Sequence, residues 1–419
     1  MSRAAEPADH TSDVVIVGGG ASGLSLAHQL AAAGRLDFTL VEAPDGPRRP
    51  PERTWCYWDQ NTGGSQATGD EQDTGDLQEA VSASWSRLRI HPTDGRPVTV
   101  DPSPLRYRML RSAEFERLVY SGLARSSGAH VLRATADTVR DTADGAEVRC
   151  TTPEGRALTL RARHVFDSRP RPLLPPARTE LMQHFRGWFV RTDTDRFDPT
   201  VADLMDFRVP QPQHGLAFGY VLPLSPNQAL VEYTEFSRTP LTTEAYDAAL
   251  TRYSRDVLEL GAHTVESAEQ GVIPMTDGHF TRRVGRSVFR IGAAGGATRP
   301  ATGYTFAAVQ RQSRAIAAAL RDGHARVPPP HGRRALAMDA VLLRALDTGR
   351  VDGPDFFTRL FRRVPTERLL RFLDGDTSVR EEWTIGLRTP IGPMLRTAVE
   401  VPFLPRRARP APRIGESHR

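Results

Sequence analysis

The segment DVVIVGGGASGLSLAHQLAAAG, starting at Asp13, constrains the fold more than any other stretch of the chain. Residues 13–17 read as a buried strand. A glycine-rich turn follows, then a helix to about Ala33 with Gly34 at its stop. FTLVEA, residues 38–43, reads as a second strand, so the segment is a βαβ unit. Gly18, Gly20 and Gly23 form GxGxxG. The first glycine permits the tight turn, the second lets backbone approach a pyrophosphate, and the third lets helix pack on strand. Ala21 and Ser22 open the helix, where free N–H groups favour phosphate. Glu42 ends the second strand, at the distance expected for a carboxylate that grips an adenosine ribose.

A second glycine cluster, IGAAGGATRPATGYTF, lies far downstream. A fingerprint at the N-terminus with such a late cluster points to FAD. Gly292, Gly295, Gly296, Thr302, Gly303 and Tyr304 are its candidate contacts. Glu42 at the ribose position, rather than arginine, disfavours tight NADP binding there. With one clear fingerprint, NADPH or NADH is expected only as a transient reductant.

The 419 residues suit one large fold with two closely packed domains, or two to three domains by length alone. The predicted class is α/β. A Rossmann-like FAD-binding domain spans 13–175 and 276–325, with a flexible insertion at 59–80. An antiparallel sheet domain for substrate is interleaved at 176–275. A helical region covers 326–395 and a basic tail 396–419.

The chain has no lysine, so all 55 of its lysine-plus-arginine residues are arginine, against 50 acids. A net charge of +5 spread over this length, without basic runs interleaved with aromatics, gives no nucleic-acid groove. Cys56 and Cys150 match neither a disulfide framework nor a metal site. The first residues lack a signal-peptide pattern, and no window reads as a membrane span. The expected location is cytoplasmic.

Two segments carry unusual chemistry. RTWCYW places Trp55, Tyr57 and Trp58 together, either as core packing or as an aromatic wall that faces cationic charge. Cys56 among them reads as a packed residue. LVEYTEFS reads as a strand interrupted by acids. Alternation puts Glu232, Thr234 and Phe236 on one face and Val231, Tyr233 and Glu235 on the other. One glutamate is then free to be solvated while the other is enclosed. A carboxyl group enclosed by apolar side chains has a raised pKa and can protonate a substrate.

RTWCYW, FDSRP (166–170), QHFRGWFV (183–190), LMDFR (204–208), YVLPLSPNQALVEYTEFS (220–237), GVIPM (271–275) and FFTRLFRRVPTERLLRFLD (356–374) occur in order along the chain. Together with the late glycine cluster, this set resembles the lycopene cyclase family, bacterial β-cyclase type. The resemblance covers about residues 13–395. It implies a flavoprotein that uses reduced FAD, works peripherally at the cytoplasmic face of the membrane on a hydrophobic polyene, and turns lycopene into β-ionone rings with no net redox change. It also implies that Glu232 is the essential acid/base or the carboxylate that steadies the cation. Trp55, Tyr57, Trp58, Trp188 and Phe236 become candidate pocket walls.

The pairs Asp167–Arg169 and Asp206–Arg208 read as structural ion pairs or, for the first, as cofactor contacts. The segment Phe356–Phe372 is expected to lie on a bilayer, with its arginines toward headgroups, to line the entrance to the substrate tunnel, or to pack against the domain, and these readings are compatible. Two alternatives stay open at this level: a cyclase of another polyprenyl or terpenoid substrate, and a flavin oxidoreductase or monooxygenase.

Overall fold

A computed structural model describes residues 10–47, 49–60 and 76–408. Three sheets organise them. The first has seven strands in the order Ala129–Arg133, Phe38–Glu42, His10–Val17, Ala157–Asp167, Gly145–Thr151 and Thr135–Thr142, with Val288–Arg290 paired to Ala157–Asp167. His10–Val17 runs parallel to both of its neighbours, and Ala157–Asp167 runs parallel to Val288–Arg290. Val17, Glu42, Asp167 and Arg290 therefore end on one edge, where open parallel sheets bind ligands. Helices Ala21–Ala33 and Phe306–Arg321 pack together beside this sheet. Val14, Ile16, Leu24, Leu40, Phe166 and Ile316 share the core there.

The second sheet is also seven-stranded. Its order is His263–Thr276, Glu180–Thr192, Gln228–Ser237, Leu216–Ser225, Val201–Asp206, Arg87–His91 and Val98–Val100. The last two strands come from the segment that the sequence reading assigned to the FAD-binding domain. Arg87–His91 pairs in parallel with Val201–Asp206, so the sheet domain draws on chain from before residue 176. A one-dimensional pattern of short strands cannot tell which sheet each strand joins.

On one face of this sheet, Tyr246, Leu250 and Tyr253 cover Val190, Val231 and Tyr233. The other face looks toward the three-stranded sheet of Thr54–Gln60, Leu105–Arg111 and Val81–Trp85, and toward the C-terminal helices.

Those helices are Arg333–Asp347, Gly353–Arg363, Thr366–Asp374, Val379–Gly386 and Ile391–Glu400. Pro365 sits between the second and third, where its ring breaks one helix and its fixed φ starts the next. The last helix continues past 395, into the stretch expected to be tail. Glu400 holds it by ion pairs to Arg344 and Arg350. Arg407 then exchanges backbone hydrogen bonds with Ala177. Of the expected insertion, residues 61–75 lie outside the described residues, as does the end of the tail. Asp59 ends in a strand and pairs with Arg108 at 2.5 Å, and residues 76–80 form a 3-10 turn.

Candidate active site

The glycine turn behaves as its spacing predicts. Gly18 has φ of 103°, a conformation that side chains other than glycine resist. A Cβ on Gly23 would stand 1.8 Å from the Gly18 carbonyl oxygen, so helix and turn touch through backbone. No side chain caps the helix at Gly20, and its first turn carries no acid. Nothing lies within 4 Å of where a Gly20 Cβ would be. The donors of that helix end are thus open to an anion.

Gly292, with φ of 63°, approaches Ser22 so closely that a Cβ would lie 2.0 Å from its hydroxyl. The two glycine clusters therefore meet. Glu42 is buried, accepts from Tyr120, and stands 3.3 Å from Arg133 and 3.6 Å from Arg49. Its Oε1 accepts no hydrogen bond. Asp167 and Arg169 pair at 2.8 Å beside this turn, and Ser168 donates to the Val17 carbonyl. The open helix end, the close approach of the two glycine clusters and a buried carboxylate oxygen without a hydrogen bond fit an adenine dinucleotide.

The second glycine cluster then leads into a cavity. Thr302, Gly303, Tyr304, Thr305 and Phe306 line it on one side. Gly303 comes within contact of Gln183, whose Oε1 is buried and unpaired, as is the Thr302 hydroxyl. Thr54, Trp55, Cys56 and Tyr107 line it from the small sheet, and Phe357, Phe361 and Leu373 from the helices.

Its floor is one face of the second sheet. Register fixes which residues these are: Gly187 pairs with Glu232, Phe185 with Thr234, and Gln183 with Phe236. Tyr220 and Phe218 stand opposite Glu232 and Thr234 on the next strand. Paired residues share a face, so these side chains point into the cavity together.

Glu232 is the acid on that floor. Its residue is only 7% exposed. Burial pushes its pKa up to about 8, and the neighbouring Glu269 carboxylate adds to the rise. The Thr234 hydroxyl donates to Oε1 at 2.6 Å and works against it. The result is a carboxyl group that keeps its proton near neutral pH against apolar and aromatic walls.

Glu235 is the correction to the idea that one glutamate is solvated. Both are buried. Glu235 faces away from the cavity, paired with His184, and accepts from Tyr233 at 3.2 Å.

The aromatic candidates divide. Trp55 and Phe236 line the cavity. Trp55 stacks on Phe306 with centroids 5.6 Å apart. Trp58 sits behind Tyr304, edge to face at 4.7 Å, and Tyr57 packs on Phe306 at 5.3 Å, so both support lining residues. Trp188 is not a wall. It pairs with Val231, hence occupies the opposite sheet face, and its indole N–H donates to Asp247.

Cys56 is a packed thiol, pushed up to about 12 by burial. Asp206 accepts from Arg208 and from Tyr253, on the sheet face turned from the cavity, and is a structural pair. Phe356, Phe357, Leu360, Phe361, Leu369 and Leu370 are buried, so the apolar face of that segment packs into the core. Among the described residues no helix is long and apolar enough to cross a membrane, and no metal-binding cluster occurs.

Sequence reasoning missed Glu269, Tyr107, Tyr220 and Gln183. Glu269 accepts from the Thr54 hydroxyl at 2.9 Å, and burial raises it to about 7. The signal was present, since Glu269, Gly271 and Ile273 alternate onto one face of a strand. The Tyr107 and Tyr220 hydroxyls meet at 2.6 Å, from two different sheets, which no local pattern reveals.

Known proteins share this architecture. The chain is similar to a geranylgeranyl bacteriochlorophyll reductase-like protein of Thermoplasma acidophilum, with a TM-score of 0.64 at 15% identity, covering 93% of this chain and 99% of that one. It is also similar to a flavoprotein/dehydrogenase of Cytophaga hutchinsonii, with a TM-score of 0.62 at 12% identity, over 94% and 99% of the two chains. Such likeness fixes the fold alone.

In sequence, it is 30% identical over 305 residues to the lycopene beta-cyclase of Paracoccus sp. (strain N81106 / MBIC 01143), which is 66% of this chain and 73% of that protein. The family model described as lycopene cyclase protein matches residues 13–399, the glycine turn, the acidic floor and the helical wall included. By that match, the chain belongs to the lycopene cyclase family.

Proposed function

We propose that the protein is a lycopene β-cyclase that binds FAD and closes β-ionone rings on a linear carotenoid, with no net redox change. The observation that carries this reading is Glu232: a carboxyl group held protonated near neutral pH at the floor of an apolar, aromatic-walled cavity.

Glu232 donates its proton to C2 of the terminal olefin. The tertiary cation at C1 is then attacked by the C5=C6 double bond, which moves positive charge to C5. Loss of the C6 proton completes the ring. Trp55, Tyr220, Phe236 and Tyr304 offer their π-faces to the cation and keep water from it. The Glu232 carboxylate left behind is a counter-charge in a low-dielectric site.

Gly18, Gly20, Gly23 and the open helix end would hold the FAD pyrophosphate, Glu42 the ribose, and Gly292 to Tyr304 the flavin side. Bound and reduced, by NADPH or NADH as a transient donor, FAD supplies an electron-rich ring that favours nearby positive charge.

A polyene of this kind dissolves in lipid, and membrane contact belongs to the same reading. Trp383, Leu387, Ile391, Leu395, Val399 and Phe403 are all exposed and recur every fourth residue. Arg380, Arg388 and Arg396 are exposed among them and suit anionic headgroups.

The test supplies lycopene in liposomes under anaerobic conditions with FAD and NADPH. The expected product is an isomer of lycopene. Oxygenated product in air, coupled to NADPH oxidation, would instead make the protein a monooxygenase. Turnover only of other polyprenyl chains would move the substrate class.

A further inference from the structure

Ring closure needs two proton transfers, one to C2 and one from C6. Glu232 accounts for the first. The cavity holds a second carboxyl group, on a different strand. Gly187, in the middle of Glu180–Thr192, pairs with Glu232 on one side and with Glu269 on the other. Three residues in one row across three strands share a face. The two glutamates thus flank a glycine, with Cα atoms about 10 Å apart by strand spacing.

The side chains of Leu230 and Glu232 lean over Gly187 into the place a Cβ would take. A Cβ there would come within 2.8 Å of Leu230 and 3.4 Å of Glu232. Both glutamates line the same cavity.

Their surroundings differ. Thr234 is the hydrogen-bond partner of Glu232. Glu269 accepts from the Thr54 side chain and is also acted on by Arg111, which favours its ionised form, and by Glu52, which opposes it. The Arg53 guanidinium, weakened by burial, feels Glu269 too. Glu232, the Cys56 thiol and the hydroxyls of Tyr107, Tyr220 and Tyr304 face the same cavity.

We propose that Glu269 is the proton acceptor of the cyclisation, removing the C6 hydrogen from the cavity floor, on the far side of Gly187 from Glu232. The inference rests on the cyclase reading above. The balance closes. The Glu232 O–H bond breaks as the C2–H bond forms, C6 bonds to C1, and the C6–H electron pair becomes the new C5=C6 double bond as its proton moves to Glu269. Glu232 ends as carboxylate and Glu269 as acid. Once product leaves, both carboxyl groups exchange protons with solvent, so neither protons nor electrons are consumed.

The surroundings of the two groups agree. Burial raises both groups, but Thr54 and Arg111 favour the ionised form of Glu269, and that charge in turn holds the proton on Glu232.

The cation at C5 can also lose a proton from C4 or from its methyl group, which gives ring isomers other than β. This makes the test specific. Wild type, Glu269→Gln, Glu269→Asp and Glu232→Gln are loaded with FAD and given liposomal lycopene, and the ring isomers are separated.

For Glu269→Gln the expected result is β-ring formation reduced about 100-fold or more. The residual product shifts toward isomers with the double bond outside C5=C6, and the acidic limb of the pH–rate profile disappears. Glu269→Asp should restore the β isomer at reduced rate, and it stands in for the amide if that variant fails to retain FAD. Wild-type rate, ring type and pH profile in Glu269→Gln would overturn the assignment, as would loss of the β isomer in Glu269→Asp. If wild type forms no ring at all, the cyclase reading itself fails. If wild type cyclises and Glu269→Gln matches it, only this inference does.

Discussion

Glu232 is where chemistry and stability oppose each other. Its pKa in the folded protein is about 8, well above the value near 4.3 of an unfolded chain. The folded state therefore binds the proton more tightly. That contribution is fully present below about pH 4 and is lost as pH rises through about 8. Glu232→Gln cannot ionise and escapes the loss. The melting temperature of Glu232→Gln should exceed that of wild type by an amount that grows from pH 5 to pH 9, with a gain on the order of a few kcal/mol at the upper end. A constant difference across that range, measured by thermal unfolding, would mean that Glu232 is not buried as described. The same variant should lose turnover and keep FAD.

Strand alternation made part of this residue-scale picture legible in sequence. It put Glu232, Thr234 and Phe236 on one face, where they are found. It could not say what covers the other face, so Glu235 passed as a candidate for solvent although Tyr233 and His184 enclose it. Trp188 shows the same limit. Its own strand pattern is clear, but only the register with Val231 says that its face is not the cavity's.

At the scale of elements, the glycines act as spacers where two elements must touch. Gly23 holds the first helix on its turn, and the space at that Cβ position is taken by the Gly18 carbonyl. Gly23→Ala should release FAD, measured as a loss of bound-flavin absorbance after gel filtration. Gly187, between two acids, yields the place of its Cβ to Leu230 and Glu232. Gly187→Val should cost about 1–3 kcal/mol through overpacking against Leu230. It should also lower turnover at least tenfold while FAD binding stays unchanged, since the N-terminal glycine turn that would hold the pyrophosphate lies on another sheet.

The amphipathic pattern of Phe356–Phe372 was plain, yet periodicity only says that one face is buried. Whether protein or lipid buries it depends on neighbours. Here Phe357 and Phe361 form a cavity wall, and the exposed apolar row lies further on, from Trp383 to Phe403. Replacing Trp383 and Phe403 together by serine should weaken binding to anionic vesicles at least tenfold, with no change in thermal stability. Unchanged sedimentation with vesicles would remove that surface from the account.

For the whole molecule, a dinucleotide fold and an antiparallel sheet meet so that the late glycine cluster borders the same cavity as Glu232. The fold class followed from one motif, because strand, glycine turn and helix admit few alternatives. The domain limits did not, because Arg87–His91 and Val98–Val100 cross into the second sheet through pairings distant in sequence. The cavity itself draws on residues from 54 to 373, and no local window contains it. Family motifs located its acid, while its second carboxyl group and its tyrosine pair emerged only from the packing of separate sheets.

The central claim is that Glu232 gives the proton that starts the ring. It is tested most directly by counting deuterium in product formed anaerobically from liposomal lycopene in D2O, with FAD and NADPH. Wild type should place a single deuterium in each new ring, at C2, with no change in oxidation state, and FAD-loaded Glu232→Gln should form no ring. Rings without deuterium, or equal turnover by Glu232→Gln, would contradict it.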